Sequence, residues 1–194
     1  MQAVEYKPLT NQLYRLATLK HYKSQTNTEL AIKKCHTVYF GAQKGDVNAI
    51  VTLVEWHESI KEIKQTLQAM RKNFEPYLSK VGVIKVEPID KPLTFSANCK
   101  LAGEYIQLLI AYDVIMHQIN AMYVFGYFTR EQYFEKTSAL GKMLNRITSQ
   151  FCQHNLNNAI TADKEKLTEA LNSEYLPLLN KETERNLQSI VATH

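Results

Sequence analysis

The chain has 194 residues, 45% of them apolar and 22% charged, a balance that fits one folded domain and excludes a chain disordered throughout. Six glycines and five prolines are too few for a loop-rich all-β protein and favour helix. The net charge of +4 is unevenly spread: residues 1–45 hold seven Lys/Arg (Lys7, Arg15, Lys20, Lys23, Lys33, Lys34, Lys44) against Glu5 and Glu29, and residues 46–194 hold 16 against 17 acids. That split of +5 and −1 points to a basic working surface on a neutral body, the alternative being a chance fluctuation of small counts.

The first residues, with Glu5 early and no apolar core, carry no signal-peptide pattern. The longest apolar stretch, Tyr105–Phe128, is interrupted by Gln107, Asp113, His117, Gln118 and Asn120, so no membrane span is expected. Cys35, Cys99 and Cys152 are odd in number and far apart, which predicts reduced thiols and a cytoplasmic protein.

In chain order, Leu9, Leu13 and Leu16, with Leu19, mark a short helix, and His21–Asn27 reads as a linker. Thr28–Lys34 alternates, with Leu30 and Ile32 on one side and Glu29, Ala31 and Lys33 on the other, which predicts a half-buried strand. Gly41 and Gly45 bracket a turn, and Asp46 is placed to cap a helix starting at Val47. Leu53, Trp56, Ile60, Ile63, Leu67, Met70, Phe74, Tyr77 and Val81 then recur at alternating steps of three and four, a heptad seam that packs either within the chain or on a partner chain. Pro76 is expected to stop or kink that helix near Phe74–Glu75. Val83–Val86 and Leu93–Phe95 read as short extended pieces.

Leu101 to Tyr123 has a wide apolar arc, the mark of a central buried helix, ended by Gly126. Thr129 and Gln132 have capping-box spacing and open a helix with Tyr133, Phe134, Leu140, Met143, Leu144, Ile147 and Phe151, so the two form an antiparallel hairpin. Asn155–Asn158 is a break; Thr161 is placed to cap a short helix carrying Leu167, Ala170 and Leu171, and Pro177 separates a last segment, Lys181–Ala192. The expected division is a basic extension over 1–27, a helical body over 28–154 and peripheral helices over 155–194. The fold expected is mainly α, with a short N-terminal strand and a long central antiparallel helix pair.

Signals for chemistry are weak. No phosphate loop, dinucleotide fingerprint, GxSxG or HExxH is present, and the six histidines lack ligand spacing, so neither catalytic residues nor a metal or other cofactor is expected. Cys35–His36 reads as a partly buried thiol beside a surface imidazole. Glu55, Glu58 and Glu62 among Lys61 and Lys64 read as an ion-paired surface, and Tyr105, Tyr112 and Tyr123 as core. Arg71-Lys72 is a second basic spot that a helix C-terminus accounts for. The basic residues around the expected strand suit phosphates, with Lys33 pointing outward toward base edges; a solvated basic strand is the other reading. A strand followed by two helices is the ribbon-helix-helix order, whose ribbon forms between two chains.

Two stretches carry a resemblance. One is His36-Thr-Val-Tyr-Phe-Gly41; the other runs from Lys91-Pro-Leu-Thr-Phe95 through Leu101-Ala-Gly103, Asp113 and Tyr127-Phe-Thr-Arg-Glu131 to Ile160-Thr-Ala-Asp163. Over residues 28–185 this order resembles the AcaB-like family of conjugation regulators encoded by conjugative plasmids and integrating conjugative elements. Val38 and Tyr39 stand where other members look more basic, which leaves base contacts unassigned. The resemblance implies a homodimeric, ribbon-helix-helix-like activator of transfer genes that binds double-stranded DNA. Arg15, Lys20, Lys23, Lys33, Lys34 and Lys44 are the residues expected to touch DNA, mainly at phosphates. A helical adaptor that binds no DNA and pairs through the heptad seam is the alternative.

Overall fold

The computed structural model describes residues 2–18, 25–81, 87–154, 164–172 and 181–193. The elements run β1 (Gln2–Tyr6), α1 (Asn11–Thr18), α2 (Asn27–Gln43), α3 (Val47–Val81), β2 (Leu93–Ala97), α4 (Lys100–Val124), α5 (Arg130–Gln153), α6 (Lys164–Leu171) and α7 (Lys181–Thr193). The fold is mainly α, as the composition predicts.

The expected strand at 28–34 is a helix. The Thr26 hydroxyl accepts from the Glu29 amide at 3.1 Å, and the Glu29 carboxylate accepts from the Thr26 amide at 2.9 Å. This capping box satisfies two backbone donors and starts α2. The face it buries is Thr28, Ala31, Ile32, Cys35, Val38 and Ala42, a helical spacing built largely from small residues. Reading only the large apolar side chains Leu30 and Ile32 leaves an apparent period of two. Ala31, expected to point outward, is fully buried. The helix also runs through Gly41, and the turn comes at Gly45, where φ is +85°. There the amide of Asp46 donates to Gly41 O and that of Gly45 to Ala42 O, a Schellman ending that calls for glycine.

The Asp46 carboxylate accepts from the Ala49 amide at 3.2 Å and opens α3 as expected. The helix does not stop at Pro76; it continues to Val81. The proline removes one donor near the exposed end of α3, where water can satisfy the freed carbonyl of Lys72. Leu53, Trp56, Ile60, Leu67 and Phe74 are buried, with Ile63 and Met70 packed beside them, while Tyr77 is exposed. The seam meets α4 of the same chain, the intrachain alternative.

The α4–α5 hairpin is as expected. Gly126 has φ +75°, Tyr127 donates to Met122 O at 2.9 Å, and Thr129 and Gln132 form a capping box. Trp56 of α3 stacks on Phe151 of α5 with centroids 4.0 Å apart, and the Tyr105 and Thr148 hydroxyls bond at 2.8 Å.

The sheet lies elsewhere than expected and is closed within one chain. β1 pairs antiparallel with β2, Gln2 opposite Ala97 and Tyr6 opposite Leu93. Leu93 and Phe95 turn into the core, so the Leu93–Phe95 expectation holds, whereas Val83–Val86 falls outside the described residues. A ribbon made between two chains is therefore not what this strand pair forms. The turn after β1 is tied to α4 by Asp113, which accepts from the Tyr6 hydroxyl, the Leu9 and Thr10 amides and the Thr10 hydroxyl.

The α6 helix rests on α3: Leu167 and Ala170 are buried, and Lys166 Nζ lies 2.7 Å from Glu55 Oε1. With Lys61 beside Glu58 at 3.7 Å, this part of α3 is the ion-paired surface expected. The Asn155–Asn158 break, the Thr161 cap and Pro177 lie outside the described residues. Among the described residues no helix is long and apolar enough to cross a membrane.

Candidate nucleic-acid interface

With α2 a helix, its outward residues follow a different arithmetic. Glu29, Lys33, Thr37, Phe40 and Lys44 are exposed at steps of four, four, three and four, one stripe along the helix. Phe40 is 47% exposed, unusual for a large apolar side chain on a polar face. The Thr37 hydroxyl donates to Lys33 O at 3.0 Å, which fixes its direction along the stripe.

The residues expected to touch DNA divide on this geometry. Lys33 and Lys44 share the stripe. Lys34, one residue on, is turned away, and its Nζ donates to His154 O at 2.7 Å, where α5 ends. A cation at that carbonyl is the arrangement helix C-termini favour, so Lys34 serves the fold. Arg15 is exposed on α1 and lines a hollow with Asn120, Tyr123 and Tyr133, which none of the α2 lysines lines. Lys20 and Lys23 lie outside the described residues. The stripe residues missed by the strand reading are Thr37 and Phe40; a helical period applied across 27–43 finds both.

Cys35 and His36 point apart: Cys35 is fully buried, and His36 Nε2 accepts from the Asn98 amide at 3.0 Å. Burial raises the Cys35, Cys99 and Cys152 thiols above their ordinary range, which makes them poor nucleophiles.

The second exposed feature sits at one end of the molecule. Of the seven exposed large apolar side chains among the described residues, six (Tyr77, Tyr123, Val124, Phe125, Tyr127 and Phe134) are on the end of α3, the α4–α5 turn and the first turns of α5. Tyr123, expected in the core, stacks on Tyr133 at 4.6 Å, and Arg130 lies 5.6 Å above the Phe134 ring.

The fold has a solved counterpart. The chain is similar in fold to AcaB from uropathogenic E. coli. The likeness has a TM-score of 0.56 and covers 87% of this chain and 95% of AcaB at 13% sequence identity. At that identity the likeness to AcaB is one of fold. No protein-family model and no curated protein matches the sequence.

Proposed function

We propose that the chain is a double-stranded-DNA-binding regulator, an activator of conjugative transfer genes acting as a homodimer in the bacterial cytoplasm. The observation that carries this reading is the outer stripe of α2. A helix fits the major groove, lysines neutralise phosphates, threonine bonds to base edges, and an apolar side chain meets the thymine methyl. Lys33 and Lys44 stand eleven residues apart, about 16 Å along the axis at 1.5 Å per residue, with Thr37 and Phe40 between them. Lys33 remains the residue for a base edge, now from a helix. The resemblance to conjugation regulators supports the same reading.

The test is titration of labelled duplex DNA at two salt concentrations. Lys33→Ala with Lys44→Ala is expected to weaken binding, through the lost base contact of Lys33, and to reduce the salt slope by about two, one for the phosphate contact of Lys44 in each protomer of the dimer. Lys34→Ala is expected to leave that slope unchanged. An unchanged slope in the double variant would overturn the assignment.

Because the heptad seam is buried inside one chain, the homodimer needs another surface, and the aromatic end of the α4–α5 hairpin is the one proposed. Sizing in solution should give a dimer that Phe125→Ser with Phe134→Ser turns into a monomer. A wild-type monomer would favour the second reading, a helical adaptor, which the same exposed patch supports.

A further inference from the structure

The α3 and α4 helices, packed along the seam, leave an open groove of about 440 Å³ on one side of their contact. Its floor is apolar: Leu67 and Ile115 are buried, and Ile110 and Val114 are half-buried. Among the described residues, this part of the wide apolar arc of α4 is not fully covered by a neighbouring helix. Its rim carries Lys64 and Arg71, seven residues apart on α3 and so on one face, about 10 Å from each other along the axis.

Among the described residues no acidic side chain lines the groove. Lys64 Nζ donates to Gln107 Oε1 at 3.3 Å, a neutral partner. Glu104 also faces Lys64, but its carboxylate is engaged by His57 at 3.1 Å and Lys100 at 3.9 Å. Arg71 has no hydrogen-bond or ion-pair partner among the described residues. Burial, with Lys100 nearby, lowers the Lys64 pKa, and an anion arriving in the groove relieves that cost.

An apolar floor between two helices, with two cations on its rim and no acid in its lining, suits one kind of molecule. We propose that the α3–α4 groove binds a small amphipathic anion, a carboxylate or phosphate head held by Lys64 and Arg71 and an aliphatic chain laid on Leu67, Ile110, Val114 and Ile115. The volume lies within the roughly 300–1,000 Å³ range of small-molecule sites. A planar guanidinium takes either oxyanion bidentately, so the head is specified as an oxyanion and the chain as apolar. This site is independent of the DNA-binding reading, since none of the α2 stripe residues lines it.

The test uses the full chain with three probes below their aggregation limits: decanoate, decyl phosphate and decanol. Calorimetry gives affinity, and methyl NMR gives position. At least one anion is expected to bind with shifts confined to the Leu67, Ile110, Val114 and Ile115 methyls, and decanol at least tenfold more weakly. The tighter of the two anions identifies the head. Lys64→Gln with Arg71→Gln should reduce anion affinity at least tenfold, to the level of the alcohol. Ala111→Trp, placed on the groove lining, should abolish binding of all three while the circular dichroism spectrum and melting stay those of a folded chain. The proposal is overturned if neither anion binds at submillimolar concentration. It is equally overturned if decanol binds as well as the anions, if the shifts lie elsewhere, or if folded Ala111→Trp binds normally.

Discussion

Replacing Asp113 with alanine is expected to cost about 4 kcal/mol of stability, because four donors lose their acceptor at once and each buried orphan costs roughly 1–3 kcal/mol. Asp113 is fully buried in α4. Its Oδ2 accepts from the Tyr6 hydroxyl at 2.9 Å and the Leu9 amide at 2.6 Å, and its Oδ1 accepts from the Thr10 amide at 3.0 Å and the Thr10 hydroxyl. The carboxylate thus stands in for missing backbone acceptors in the turn between β1 and α1. Burial, together with the Asp113 carboxylate, pushes the Tyr6 phenol above its ordinary range, so it remains a donor. Burial and Asp113 likewise push Tyr112 up to about 12. Asp113→Asn keeps the shape but presents an amide donor to one pair of donors, so it should cost about half as much. Urea unfolding measures the loss, and hydrogen exchange at the Leu9 and Thr10 amides should rise with it. A cost below about 1 kcal/mol would show that the turn is held by something else.

Trp56→Ala is expected to cost about 3–5 kcal/mol, the range for removing a large buried aromatic. Trp56 is 1% exposed, stacks on Phe151 with an interplanar angle of 20° and meets the His154 ring edge-on at 5.2 Å. The truncation opens a cavity between α3 and α5 and removes the ring contact that holds the end of α5, near the Lys34–His154 bond. The concentration dependence of unfolding separates two roles for the heptad seam. A seam that is intrachain core makes this loss independent of protein concentration. A loss that vanished at high concentration would place the seam between chains instead.

Much of the helical frame was legible because its signals are local. Asp46, Thr129 and Gln132 act through hydrogen bonds to residues three positions away, and Gly45 and Gly126 act through their own φ. The heptad seam and the arc of α4 are periodic patterns long enough to exclude a strand. The α2 helix is hard to read from sequence because its buried face uses Ala31, Cys35 and Ala42, which carry little hydrophobic signal although a close helix contact selects for small residues. The capping pair Thr26 and Glu29, three residues apart, carries the local helix signal of this segment. β1 could not be read in isolation: Gln2–Tyr6 has one large apolar pair, Val4 and Tyr6, and its pairing is made with residues some ninety positions away.

The candidate site divides in the same way. Composition located the excess of positive charge in the first 45 residues, and nothing in the structure was needed for that. Which of those lysines share a face depends on the period of the element that carries them. A period of two would align Lys33 with Glu29 and Ala31; the helical period keeps Glu29, replaces Ala31 with Thr37, Phe40 and Lys44, and sends Lys34 to His154. The sequence by itself determined the helical class, the helix ends with local caps, the hairpin and the charge asymmetry, since each follows from residues within a few positions or from counting. Only the tertiary structure decided that the seam closes within one chain, that β1 and β2 make the sheet, that Asp113 holds the N-terminal turn, and that two cations stand over an uncovered apolar strip between α3 and α4. Those outcomes depend on contacts between distant residues, whose loop-closure cost and packing gain no local pattern encodes.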